Sequence, residues 1–127
     1  MRNPITIVDA VPIAVYTGDT NGAAIDMQQG PGYETALVHL GVGNFTGTPT
    51  TVTAAIYESD TANFASSSVA AGGAAQTLTA DNDYQFQVKR TKRYMRVVFD
   101  FTGGSTPTAE LHAVALLTNW AIPMNIR

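Results

Sequence analysis

The stretch YQFQVKRTKRYMRVVFDF, residues 84–101, decides the fold class. Tyr84, Phe86 and Val88 alternate with Gln85, Gln87 and Lys89, and further on Met95, Val97, Phe99 and Phe101 alternate with Tyr94, Arg96, Val98 and Asp100. A period of two belongs to a half-buried strand, because successive side chains of a strand point to opposite faces of the sheet. Two amphipathic strands therefore flank a connection at residues 90–93, and the junction is basic. Five of the seven Lys and Arg of the chain, Lys89, Arg90, Lys92, Arg93 and Arg96, lie here with no acid among them.

The same reading extends outward. Residues 6–16 form a strand interrupted by Pro12, which predicts an edge position or a bulge because proline cannot donate to a ladder. Residues 19–22 supply turn chemistry, and residues 23–27 begin the next strand. In residues 34–42, Ala36, Val38, Leu40 and Val42 share one face, and Thr35, Leu37 and His39 the other; both are fairly apolar, as in a central, covered strand. Residues 50–59 set Val52, Ala54 and Ile56 against Thr51, Thr53, Ala55 and Tyr57. Residues 60–75 are small, polar and glycine-containing, and read as the most mobile connection or one that orders on a partner. A helix fits only at residues 61–71, and only a short one. Residues 76–80 form a short strand, residues 81–83 a turn, and residues 102–108 a hairpin-type loop. The last strand, residues 109–118, alternates Leu111, Ala113, Ala115 and Leu117 with His112, Val114 and Leu116. About eight strands with frequent turn signals make an all-β, antiparallel β-sandwich. At 127 residues the chain is one domain. Extended arms precede it at residues 1–5 and follow it at residues 119–127, where Trp120, Ile122 and Met124 are the apolar members of a tail broken by Pro123.

Composition narrows the function. Net charge is −3, and without the basic cluster two cations face ten acids. A polyanion binder needs a basic balance over a whole face, and single-strand binders line a groove with several aromatics, whereas Tyr94 is the only one in the patch. The cluster therefore reads as hydrated cations guarding a sheet edge, or as a docking surface for an acidic protein, not as a nucleic-acid site. The absence of cysteine removes disulfides and thiolate chemistry. No apolar run has the length to span a bilayer and no charged leader precedes one, so the expectation is a soluble protein made in a cytoplasm. Asn44-Phe45-Thr46 fits a glycosylation acceptor but reads most simply as loop sequence.

Asp19, Asn21 and Asp26, and the run Asp81-Asn82-Asp83, offer oxygen ligands, yet neither completes a calcium loop, and Asx-turns account for both. His39 and His112 stand alone on separate strands. GGSTPT lacks the frame of a nucleophile elbow, and GPGY precedes a strand where a dinucleotide loop would open a helix. The expectation is a protein with no catalytic residue, metal or cofactor.

Three segments carry a resemblance: AVPIAVYTGDTNGAAIDM (residues 10–27), GYETALVHLGVGNFTGTPTTVTAAIYESDTANF (residues 32–64) and KRYMRVVFDFTGGSTPTAELHAVALL (residues 92–117). With TNG-x-A-x-D, GYE-x-A, TGTPT, IYESD, KRY-x-R-V-V and GG-S-T-P in this order, the chain resembles small structural proteins of tailed bacteriophages, of the capsid decoration or cement type. The resemblance implies a jelly-roll or Greek-key sandwich on the outside of the virion head. There it would bind the major capsid protein and itself, as a homodimer or homotrimer, with no nucleic acid or membrane as partner. The docking residues it suggests are Lys89, Arg90, Lys92, Arg93 and Arg96 with Trp120, Ile122 and Met124 of the tail. Residues 60–76 depart from the similar sequences, so no contact carries over there. The alternatives are a tail or head-fibre component and a carbohydrate-binding adhesion module, for which Tyr16, Tyr33, Tyr57 and Trp120 are the aromatic candidates.

Overall fold

The computed structural model describes residues 5–27, 33–47, 51–103 and 108–118. One sheet holds β1 (Ile5–Tyr16), β10 (Thr108–Thr118), β4 (Thr35–Thr46) and β8 (Asn82–Lys89), in that order. The other is built on β9 (Tyr94–Thr102) and β5 (Thr51–Ser59). The short strands β2 (Thr20–Asn21) and β3 (Ile25–Asp26) pair with β9, and β6 (Ser68–Val69) and β7 (Gln76–Leu78) pair with β5. All pairings are antiparallel. If β2 with β3, and β6 with β7, each count as one broken strand, eight strands remain. Their orders are first-eighth-third-sixth and second-seventh-fourth-fifth, those of a jelly roll.

Counted over these eight strands, every connection except the one after β5 crosses from one sheet to the other. β9 and β10, whose junction at residues 102–108 was expected to be a hairpin-type loop, lie in different sheets and do not pair, and residues 104–107 lie outside the described residues. A glycine-rich loop between two amphipathic strands looks the same whether the strands pair or stack, and only the sheet assignment separates the two cases.

The alternation seen in the sequence supplies the core. Leu40, Val38, Phe86, Leu111 and Leu117 from the first sheet and Val52, Ile56, Met95, Val97 and Phe99 from the second are fully enclosed in one cluster. Burying each such side chain contributes about 1.5–3 kcal/mol. The central place expected for β4 is found, between β10 and β8. So is the edge position of β1, whose register shifts on both sides of Val11, next to Pro12.

Residues 61–71 form no helix. Asn63 Oδ1 accepts hydrogen bonds from Thr61 Oγ1 and Ala65 N, and Phe64 takes a left-handed φ of 54°, which ends any helical run. Much of this connection is tied to the sandwich. Phe64 is buried, Ser59 Oγ donates to Ser66 O, Ala70 N donates to Ile56 O, and Lys89 N donates to Ala71 O. Residues 70–73 thus span from the second sheet to the β8 edge of the first.

Candidate docking surface

Because β8 and β9 belong to different sheets, residues 90–93 cross the end of the sandwich, and their main-chain N–H groups cannot all be satisfied by a ladder. Glu58 supplies acceptors. It follows Val52, Ala54 and Ile56 on the inward face of β5 and is buried. Its Oε1 accepts from the main-chain N–H groups of Thr91 and Lys92, both at 3.1 Å, and its Oε2 accepts from the Thr91 hydroxyl. Arg90 N donates to Glu34 O, Arg90 Nε donates to Tyr33 O, each at 2.7 Å, and the Arg93 carbonyl accepts from Met27 N at 2.8 Å. The basic connection is held from both sheets, so ordering it on a partner costs little further entropy.

The five cations have separate fates. Arg93 forms a two-pronged pair with Asp26, Nε to Oδ1 at 3.1 Å and Nη2 to Oδ2 at 2.9 Å, and lies 5.0 Å from the Tyr94 ring centre. That hydrogen bond, with the Asp26 charge behind it, raises the guanidinium's hold on its proton. Arg96 is on the outer face of the second sheet opposite Tyr57, its guanidinium 4.3 Å from the centre of the Phe64 ring, and its buried Nε has no hydrogen-bond partner among the described residues. Lys89 is exposed and Lys92 half-buried, and neither has an ion-pair partner among the described residues.

The register places more than the turn at this end. Thr35 pairs with both Lys89 and Thr118, and Thr118 pairs with Ile5. Thr118 is fixed by a hydrogen bond from Glu34 N at 2.9 Å and by a hydroxyl contact with Thr35 at 2.5 Å. Residues 1–4 and 119–127 therefore attach at the basic end. Trp120, Ile122 and Met124 lie outside the described residues.

Charge is redistributed by the fold. Asp26, Glu34, Glu58 and Asp60, remote from the cations in sequence, come to the basic end and offset four of the five positive charges. At the opposite end, marked by the pairs Val42–Asn82, Thr46–Thr108 and Thr20–Phe99, stand Asp19, Asp81, Asp83, Asp100 and Glu110, with no Lys or Arg among the described residues. The molecule is electrically polar along its strands.

The remaining candidates separate. His39 and His112, expected to stand alone, are neighbours on the outer face of the first sheet with ring centres 6.3 Å apart, because β4 and β10 pair. Asp26 is engaged by Arg93, and Asp19 Oδ1 accepts from Phe101 N at 2.8 Å. Asp81 occupies its turn at a φ of 59°. No group of three His, Cys, Asp or Glu able to hold a metal exists among the described residues. Of the aromatics considered for sugar binding, Tyr33 is buried. Tyr16 and Tyr57 are half-buried on different sheets, and the Tyr16 hydroxyl donates to Pro12 O. Glu58 was detectable in the sequence as a carboxylate continuing an apolar strand face. The Phe64–Arg96 contact had no such signal.

Neither a protein-family model nor a curated protein matches this sequence. Among solved structures the fold is similar to that of the SPBc2 prophage-derived protein YomS. The TM-score is 0.54 and the identity 10%, over 93% of this chain and 96% of that one. It is also similar to part of a chain of infectious bursal disease virus, Gx strain, with a TM-score of 0.50 and 15% identity over 99% of this chain and 35% of that one. At these identities the likeness is one of fold.

Proposed function

We propose that this chain is a structural protein of a bacteriophage particle, of the decoration or cement type, that sits on the outside of the head and bridges neighbouring copies of the major capsid protein. The observation that carries this reading is the convergence of the pinned basic turn and both arm attachments at one end of a sandwich. A turn held from both sheets, at the end of the sandwich where both terminal segments attach, fits a protein that grips others at many equivalent sites, where modest single contacts multiply into avidity. The jelly roll shared with a prophage-derived protein and a viral chain supports it. Among the described residues, Lys89 and Lys92, with the terminal nitrogens of Arg90, are the cations left to meet an acidic partner surface, and Trp120, Ile122 and Met124 add apolar contact. Self-association as a homodimer or homotrimer would place several such ends on one lattice position. A sugar-binding module is disfavoured by the scattered, half-buried tyrosines.

The test is co-sedimentation of the purified protein with empty phage heads. Binding should saturate, weaken as salt rises, and fall about tenfold in the double variant Lys89→Ser, Lys92→Ser. Binding untouched by both salt and substitution would remove the charge component, and no binding to any head would remove the assignment.

A further inference from the structure

We infer that the acidic end carries a second docking site, on the outer face of the first sheet, for an extended segment of another protein that bears aliphatic side chains and a lysine or arginine. The site is a cleft of about 420 Å³ between β1 and the β4–β10 pair. Its floor is Gly41 and Gly43 of β4. A Cβ at Gly41 would stand 2.0 Å from the His112 imidazole, and one at Gly43 would stand 2.9 Å from Glu110 Oε1. Lacking Cβ atoms, these two positions let His112 and Glu110 of β10 lie flat across β4. Glu110 Oε1 accepts from Asn44 N at 2.9 Å, and Asp83 of β8, its side chain 73% exposed, approaches to 4.0 Å from His39 Nε2. Two carboxylates thus border the cleft at an end of the molecule with no cation among the described residues.

The opposite wall is apolar and belongs to a sheet edge. Among the described residues the exposed large hydrophobics are Ile7, Ile13, Val15 and Val69, and three of these four are on β1, with Ile13 79% and Val15 58% exposed. A segment laid in the cleft packs aliphatic residues on Ile13 and Val15 and delivers a cation to Asp83 and Glu110. Carboxylates on both copies would repel a second acidic end, and charge complementarity selects a basic segment instead. This site is separate from the basic end and does not depend on its role.

The probe is a fluorescein-labelled, N-acetylated peptide alternating lysine and valine, titrated against the full chain by polarisation. Saturable binding is expected, weakened about tenfold in Ile13→Ser and in the pair Asp83→Asn, Glu110→Gln, and unchanged in Lys89→Ser, Lys92→Ser. The substituted side chains at 13 and 83 are exposed, and matching circular dichroism melts would confirm that the variants fold. The proposal is overturned by no binding, by equal binding of peptides with glutamate for lysine or serine for valine, or by full binding to Ile13→Ser. Self-association of the chain that Ile13→Ser abolishes, without peptide binding, would make a second copy the occupant and equally overturn it.

Discussion

The Glu58 carboxylate grips Thr91 twice, accepting from its main-chain N–H at 3.1 Å and from its hydroxyl, although the two residues are 33 positions apart. This contact converts a buried charge into the anchor of the basic turn. A buried carboxylate is tolerated only when its oxygens are satisfied, and here a third donor, Lys92 N, completes the set. Glu58→Ala would strand these donors and should cost about 2–3 kcal/mol in urea denaturation. Glu58→Gln keeps an acceptor for both N–H groups and should cost about half as much. Equal losses would show that an acceptor retained at this position does not hold the turn, and would contradict the anchoring role.

Arg96 gives the opposite case. Its guanidinium covers the Phe64 ring while the buried Nε lacks an acceptor, so packing and polarity work against each other. Arg96→Met keeps the length and removes the unsatisfied donor. Thermal denaturation should show stability unchanged or raised by up to about 1 kcal/mol. If Arg96 instead serves docking as well as packing, head binding by the same variant will fall while stability holds.

Gly72 closes the sandwich on the β8 side. Its φ is +85°, and a Cβ would stand 1.9 Å from the main-chain oxygen of Gln87, which cannot swing aside as a side chain can. Gly72→Ala should therefore destabilise by about 2–3 kcal/mol. Gly18→Ala, where nothing lies within 4 Å, serves as the control and should stay within about 0.5 kcal/mol. Comparable melts for the two variants would contradict the closing role of residues 70–73.

Asp19 and Asp100 predict a pH effect of definite sign. The hydrogen bond that the protonated Asp100 carboxyl donates to the Asp19 carboxylate, and secondarily the Asp19 charge, raise Asp100 above its ordinary value of 3.8. The native state then holds a proton more tightly than the unfolded chain. The associated stability is fully present below the unfolded value and is lost as pH rises through the folded one. Asp100→Asn should flatten this part of the profile, so that wild type gains on the variant as pH is lowered from neutral towards 4. A parallel pair of melting-temperature profiles would exclude the coupling.

The strand faces were legible because burial imposes a period of two that survives in the sequence: Phe86 and Val88, Met95 to Phe99, and Leu111 to Leu117 all face where their alternation says. Pro12 marked an edge for the same local reason, a missing donor. Residues 61–71 misled because small polar residues permit several backbones, and it was the burial of Phe64 that selected one. The basic turn was visible, but its partners were not. Asp26 and Glu58 lie more than 30 residues from the cations they meet.

Local chemistry thus determined the class of the fold and the side of each strand that would be hidden, since both follow from which residues avoid water along a pleated chain. Tertiary structure alone decided which strands became neighbours, and with that the pairing of His39 with His112, the laying of Glu110 over Gly43, and the gathering of five carboxylates at one end. These are contacts across strand pairs far apart in sequence, set by the sheet-crossing path of the chain, and no short stretch carries the information to specify them.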